Sequence, residues 1–92
     1  MSVIMIANIA GADATFFDAM RAAGVVDALA KYPGFVSHAS GAADSGYRVI
    51  EVWESRDAHE DWVEKVILPN MPPGAPPPTI EYIDLVAAVP GG

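Results

Sequence analysis

Ninety-two residues without a cysteine make one domain that folds on its apolar core, with no disulfide to staple it, or on that core and a partner. Five basic residues against twelve acidic ones give a formal charge of −7. That balance opposes the phosphate-neutralising surface of a nucleic-acid binder and any attraction to an anionic membrane.

The chain opens on an apolar run over residues 3–9, interrupted only by Asn8, which reads as a buried first strand. No basic residue precedes the run, as one would in a secretion signal. Nor does any stretch approach the roughly 18 apolar residues of a spanning helix. The expectation is a soluble, cytoplasmic protein. Gly11 ends the strand, and Asp13 is suited to cap a helix carrying Phe16, Phe17, Met20 and Ala23. Gly24 interrupts that helix before a short helical turn over 25–32, with Val25, Ala28 and Leu29 facing inward. Pro33 and Gly34 supply a turn, and 35–40 is a second strand in which His38 stands among small residues. Residues 41–46 read as a polar hairpin loop.

The most informative stretch is 47–68, an apolar-rich strand running straight into a capped helix. Its first eight residues favour a pleated, half-buried surface. Ser55 takes the N-cap position, and Asp57, Glu60 and Asp61 lie near the positive end of the helix dipole. Ala58, Trp62 and Val66 form one stripe with Val63 and Ile67 beside it, so a large indole is aimed at whatever the helix covers. Six of the eight prolines follow within 69–78, and a last strand is expected over 79–89. Pro73 and Pro76 meet the minimal PxxP spacing, but no basic residue flanks them, and a rigid connection is the better account.

The order β-α-β-β-α-β defines an α+β class, the ferredoxin-like split βαβ arrangement, with helices on one face of an antiparallel sheet. The other face is left bare, and 52% hydrophobic content exceeds what one small core needs. A homodimer that buries the bare face is therefore expected. Two histidines and no cysteine leave no His-rich metal site within one protomer, and His59-Glu60 lacks the second histidine of the zinc-protease motif at residue 63. His59 reads as a residue at the rim of its helix. No glycine-rich phosphate loop and no nucleophile elbow is present, so nucleotide, flavin and covalent chemistry lack a warrant.

With those residues in place, the chain resembles the antibiotic biosynthesis monooxygenase superfamily of dimeric α/β barrels. Residues 47–53 followed by Glu54-Ser-Arg-Asp-Ala58 carry the resemblance, together with Pro33-Gly34-Phe35 leading into the strand of His38. It extends over nearly all of the chain, taken as one domain over residues 1–92. It implies a small-molecule tailoring enzyme: a cofactor-independent monooxygenase acting on an aromatic or polyketide-like substrate held between sheet and helices. Alternatives on the same scaffold are a non-oxidative cyclase and a non-catalytic binding or accessory protein. In the haem-degrading branch, an asparagine on the first strand and a tryptophan on the second helix line the pocket, and Asn8 and Trp62 match them. That branch also uses a histidine about ten residues beyond the tryptophan as iron ligand. This chain has Met71 in that region and no histidine, which argues against haem degradation.

Asn8, His38 and Trp62 are accordingly the candidate catalytic residues, with Phe16, Met20, Tyr47, Trp53 and Tyr82 as candidate substrate contacts. No cofactor is expected. Each has a plainer reading: Asn8 bonded to neighbouring backbone, Trp62 as core filler, His38 as a solvent-facing or internally bonded strand residue. Glu51 shares strand parity with Tyr47, Val49 and Trp53, and is either a pocket base or, preferably, an ion-pair partner at a subunit interface.

Overall fold

The computed structural model describes residues 1–71, 74 and 77–91. Strand β1 (Val3–Ala10) alternates strictly, with Val3, Met5, Ala7 and Ile9 buried and Ile4, Ile6 and Asn8 only half-buried. The apolar run is thus two-faced rather than buried throughout. Asp13 caps α1 (Ala14–Ala22) by accepting from the Thr15 N–H, as its position implies. Gly24 adopts φ 81°, a left-handed conformation that favours glycine, and turns the chain into α2 (Val25–Ala30).

Strands β2 (Phe35–Ala43) and β3 (Gly46–Trp53) pair antiparallel from Ala43 opposite Gly46, so only Asp44 and Ser45 form the turn. The expected loop over 41–46 is mostly strand, because the small residues of that stretch continue the ladder. Ser55 caps α3 (Arg56–Trp62) by accepting from the Ala58 N–H. A π-helical turn over Val63–Ile67 and a last α-turn, α4 (Leu68–Asn70), continue the same rod. Gly34, at φ 90°, lets this helix approach closely: a Cβ there would lie 2.6 Å from the Ala58 Cβ.

Strand β4 (Thr79–Asp84) ends five residues before the expected Val89. The Leu85 N–H still donates to the Ser2 carbonyl, but β1 begins at Val3 and offers no further partner. The PxxP residues Pro73 and Pro76 lie outside the described residues.

The four strands stand in the order β2-β3-β1-β4, all antiparallel. This is the α+β ferredoxin-like arrangement. One sheet face packs Val3, Met5, Ala7 and Trp53 against Met20, Val25, Leu29 and Trp62 of the helices. The opposite face presents Ile4, Ile6, Ile50, Val52 and Ile83, of which Ile50 and Ile83 are each 43% exposed. Among the described residues, no helix is long and apolar enough to cross a membrane.

Candidate functional site

Strand parity decides which side chains meet between the layers. Odd-numbered residues of β1 and β3 point to the helices, and a bulge between Phe35 and Ser37 brings the even-numbered His38 and Ser40 of β2 to the same side. The helices do not fill the space above them. A cavity of about 290 Å³ remains, floored by Met5 and Ala7 and walled by Phe16, Phe17, Met20 and Trp62. Its surface is overwhelmingly apolar, and its polar side chains are His38, Tyr47, Glu51 and His59.

His38, Tyr47 and Glu51 belong to one hydrogen-bonded set, and His59 stands beside it. Glu51, only 4% exposed, places Oε2 2.6 Å from His38 Nδ1, and Oε1 accepts from Trp53 Nε1 at 2.9 Å. His38 Nε2 lies 2.9 Å from Ser40 Oγ, which in turn lies 2.7 Å from the Tyr47 hydroxyl. A path of hydrogen bonds therefore leads from a buried carboxylate to an exposed serine on β2. On the other flank, His59 Nε2 is 3.9 Å from Glu51 Oε1, while its Nδ1 lies 2.7 Å from the Tyr82 hydroxyl. A carboxylate bonded to an imidazole pairs two groups of the kind that serve as general acids and bases.

Trp62, Phe16, Met20, Tyr47 and His38 all line the cavity, and the structure brings them together. Three other expectations are corrected. Asn8 lies on the opposite sheet face, where its Oδ1 accepts from Arg48 Nε at 2.7 Å, because its even position points it away from the helices. Trp53 is fully buried and does not line the cavity; it packs among Tyr32, Phe35, His59 and Trp62 and holds Glu51. Tyr82 stands behind His59 rather than against the cavity.

Two readings of acidic and basic residues change as well. Glu51 sits beneath the helices, not on the exposed sheet face where a subunit-interface partner would stand. His59 is 2% exposed and lines the cavity rather than marking the helix rim. Both positions had a signal in the sequence. Glu51 shares the parity of buried Tyr47 and Trp53, and His59 lies three residues before Trp62, hence on the same helix face.

Burial holds the His59 imidazole below its ordinary pKa of 6.5, against the smaller opposing pull of Glu51 and Glu60. Facing groups are Glu51 from β3, Tyr82 from β4, and Arg56 and Glu60 around its own helix. Because the folded-state pKa is depressed, the unfolded chain binds the proton first as pH falls below about 6.5. Stability contributed by neutral His59 is present above that pH and declines through the window down to the depressed value. The melting temperature should fall over that window in the wild type, and His59→Gln should remove this component of the slope. An unchanged slope in the variant would show that His59 is not held neutral by burial.

Among the described residues, no group of three or more His, Cys, Asp and Glu is placed to hold a metal. Haem fits poorly too. Among the described residues no arginine or lysine lines the cavity to meet its two propionates, both nitrogens of His38 already have partners, and the Glu51 carboxylate lies 3.9 Å from His59 Nε2. At about 290 Å³ the space is near the lower limit of small-molecule pockets.

A four-stranded antiparallel sheet under helices, enclosing an apolar cavity, is the ferredoxin-like α+β class. Within it, the chain belongs to the antibiotic biosynthesis monooxygenase family, whose model matches residues 2–66. Three of the solved structures that share the fold illustrate it. SnoaB, a cofactor-independent oxygenase from Streptomyces nogalater, is 22% identical with a TM-score of 0.62 over 98% of this chain and 96% of that one. The ActVA-Orf6 monooxygenase of Streptomyces coelicolor, in complex with nanaomycin D, is 21% identical with a TM-score of 0.56 over 99% and 92%. The haem-degrader MhuD of Mycobacterium tuberculosis, with two haems bound, is 21% identical with a TM-score of 0.59 over 95% and 98%. No curated protein sequence matches the chain at a significant level.

Proposed function

We propose that this protein is a cofactor-independent monooxygenase acting on a compact aromatic, polyketide-like substrate bound between sheet and helices. The observation that carries the reading is the pair of buried Glu51 and half-buried His38 in a cavity walled mostly by apolar and aromatic side chains. Chemistry of this kind needs a substrate that donates electrons to dioxygen once deprotonated, and from the protein a dry pocket and a base.

For an anthrone-type quinol the steps balance as follows. The Glu51–His38 pair removes one proton from the ring methylene, leaving an enolate. One electron passes from the enolate to dioxygen, and the resulting radical and superoxide combine through a new C–O bond. The peroxide takes up one proton. Loss of the second methylene proton then forms the ketone as the O–O bond breaks, and the expelled hydroxide is protonated to water. Two protons leave carbon and two are returned, the carbon loses four electrons, and dioxygen gains four. Trp62, Phe16 and Phe17 supply ring-packing surface. The path through His38 and Ser40 connects the pair to the surface.

The test is incubation of the purified protein with a dihydroxyanthrone under air, without and with added haem, flavin or metal. Metal-free quinone formation above the uncatalysed rate supports the reading; a strict need for an added cofactor, or no reaction, sinks it. A one-to-one haem complex with a sharp Soret band would favour the haem-degrading branch instead. Cyclisation of a polyketide-like chain without oxygen uptake would favour the cyclase alternative.

The same reading makes the functional unit a cytoplasmic homodimer of single domains, joined through the sheet face bearing Ile4, Ile6, Ile50, Val52 and Ile83. Contact over that face should exceed the ~1,200 Å² of a small specific interface. Sedimentation at tens of micromolar is expected to give a dimer, and Ile50→Lys to shift it toward monomer. A wild-type monomer at that concentration would remove the barrel while leaving the ferredoxin-like fold.

A further inference from the structure

Glu51 and His59 leave a gap with a definite chemistry. Glu51 Oε1 and His59 Nε2 are 3.9 Å apart, too far for a direct hydrogen bond. Both side chains line the cavity. An oxygen atom placed at about 2.8 Å from each would subtend roughly 90° between them, within reach of ordinary hydrogen-bond geometry.

The tautomer of His59 follows from its two neighbours. If Nδ1 carried the proton, the Nε2 lone pair would face the Glu51 carboxylate, and the Tyr82 hydroxyl would accept at Nδ1 with its own proton left without that partner. With the proton on Nε2, Tyr82 donates to Nδ1 and the N–H dipole points at the carboxylate. The second arrangement satisfies both flanks. Burial of Tyr82, reinforced by Glu60, raises its phenol above the ordinary value, which keeps the proton available to donate.

We infer that His59 presents a neutral Nε2–H to the cavity as a hydrogen-bond donor to a substrate hydroxyl oxygen, and that Tyr82 is the positioning residue that fixes this tautomer. That hydroxyl is the enol form of the anthrone: it gives Glu51 the proton that the ring methylene gives up in the keto form, leaving the same enolate, while its oxygen accepts from His59. As the proton leaves, the developing oxyanion remains held by the imidazole N–H. The ligand so selected is an uncharged, compact aromatic with a ring hydroxyl. A carboxylate in the same place would meet the Glu51 charge at close range. This assignment deepens the oxygenase reading and rests on it for the identity of the reacting oxygen.

The test combines nitrogen-resolved NMR of the histidine rings with calorimetric binding of two probes, naphthol and naphthalene. Wild type should show His59 as the neutral Nε2–H tautomer, with its signals shifted by naphthol and little by naphthalene. Tyr82→Phe should weaken that tautomer preference. His59→Leu should lower affinity for naphthol about tenfold while changing naphthalene by less than about twofold. His59→Gln, whose amide N–H reaches a similar position, should recover much of the naphthol affinity.

An Nδ1–H tautomer in the wild type would overturn the inference. So would equal weakening of both probes in His59→Leu, which marks packing alone, or no weakening of either. An unaltered tautomer in Tyr82→Phe would remove the role of Tyr82. Should His59→Leu fail to fold, the wild-type tautomer and His59→Gln still decide the matter. Failure of the oxygenase reading looks different: the dihydroxyanthrone is not oxidised, yet hydroxyl selectivity and tautomer remain as described.

Discussion

His38→Ala is expected to reduce metal-free oxidation of a dihydroxyanthrone by ~10²–10⁴-fold, the range of a positioned general acid–base group. The imidazole ties the buried Glu51 carboxylate to Ser40 and the surface, so its loss removes both one member of the pair and the exit path. Glu51→Gln keeps the shape of the site but cannot accept a proton, and should produce a loss of similar size. Residues that act as one unit are strongly non-additive, so the double variant should be little worse than either single one. The deficit should narrow as pH rises and the substrate ionises in solution without help. Steady-state rates from about pH 5 to 9 check the pattern. Normal turnover in both single variants would show that the pair serves packing and that deprotonation occurs elsewhere.

Much of this site was legible because strand and helix periods are strict. The positions of Tyr47, Trp62, Phe16 and Met20 on inward faces follow from alternation along β3 and from helical spacing. At Asn8 chemistry and parity disagree: a lone polar residue in an apolar strand invites a role in a pocket, whereas its parity with Ile4 and Ile6 points outward. Glu51 is the reverse case. Its parity with Tyr47 and Trp53 points inward, whereas a charge on an apolar face favours an interface over a pocket.

Other features were not readable from local pattern at all. The approach of His59 to Tyr82 joins residues 23 positions apart and depends on β4 pairing with β1. The π-helical turn over Val63–Ile67 carries no composition that marks it. It follows Trp62 directly and contributes Val63 and Ile67 to the cavity wall, in keeping with the tendency of such turns to sit at functional sites. The early end of β4 likewise reflects the length of its partner strand rather than its own residues.

The largest loss of stability is expected at Trp53. Its indole is fully buried and packs edge-on against Tyr32, Phe35 and His59, with Trp62 tilted beside it. Trp53→Ala should cost about 3–5 kcal/mol, combining lost transfer energy with an unfilled cavity. Domains of this size hold about 5–15 kcal/mol in total, so the variant should melt ~15 °C or more below wild type, or fail to fold. Trp53→Phe separates the two parts of the effect. It retains much of the apolar volume but removes the N–H that donates to Glu51 Oε1 at 2.9 Å. A buried carboxylate that loses one donor should add about 1–3 kcal/mol to a modest packing loss. The remaining bond to His38 then carries more of the charge. Thermal melts at one fixed protein concentration check both variants, since self-association would otherwise shift the midpoint. A Trp53→Ala protein within about 1 kcal/mol of wild type would mean that the indole is not at the centre of this core.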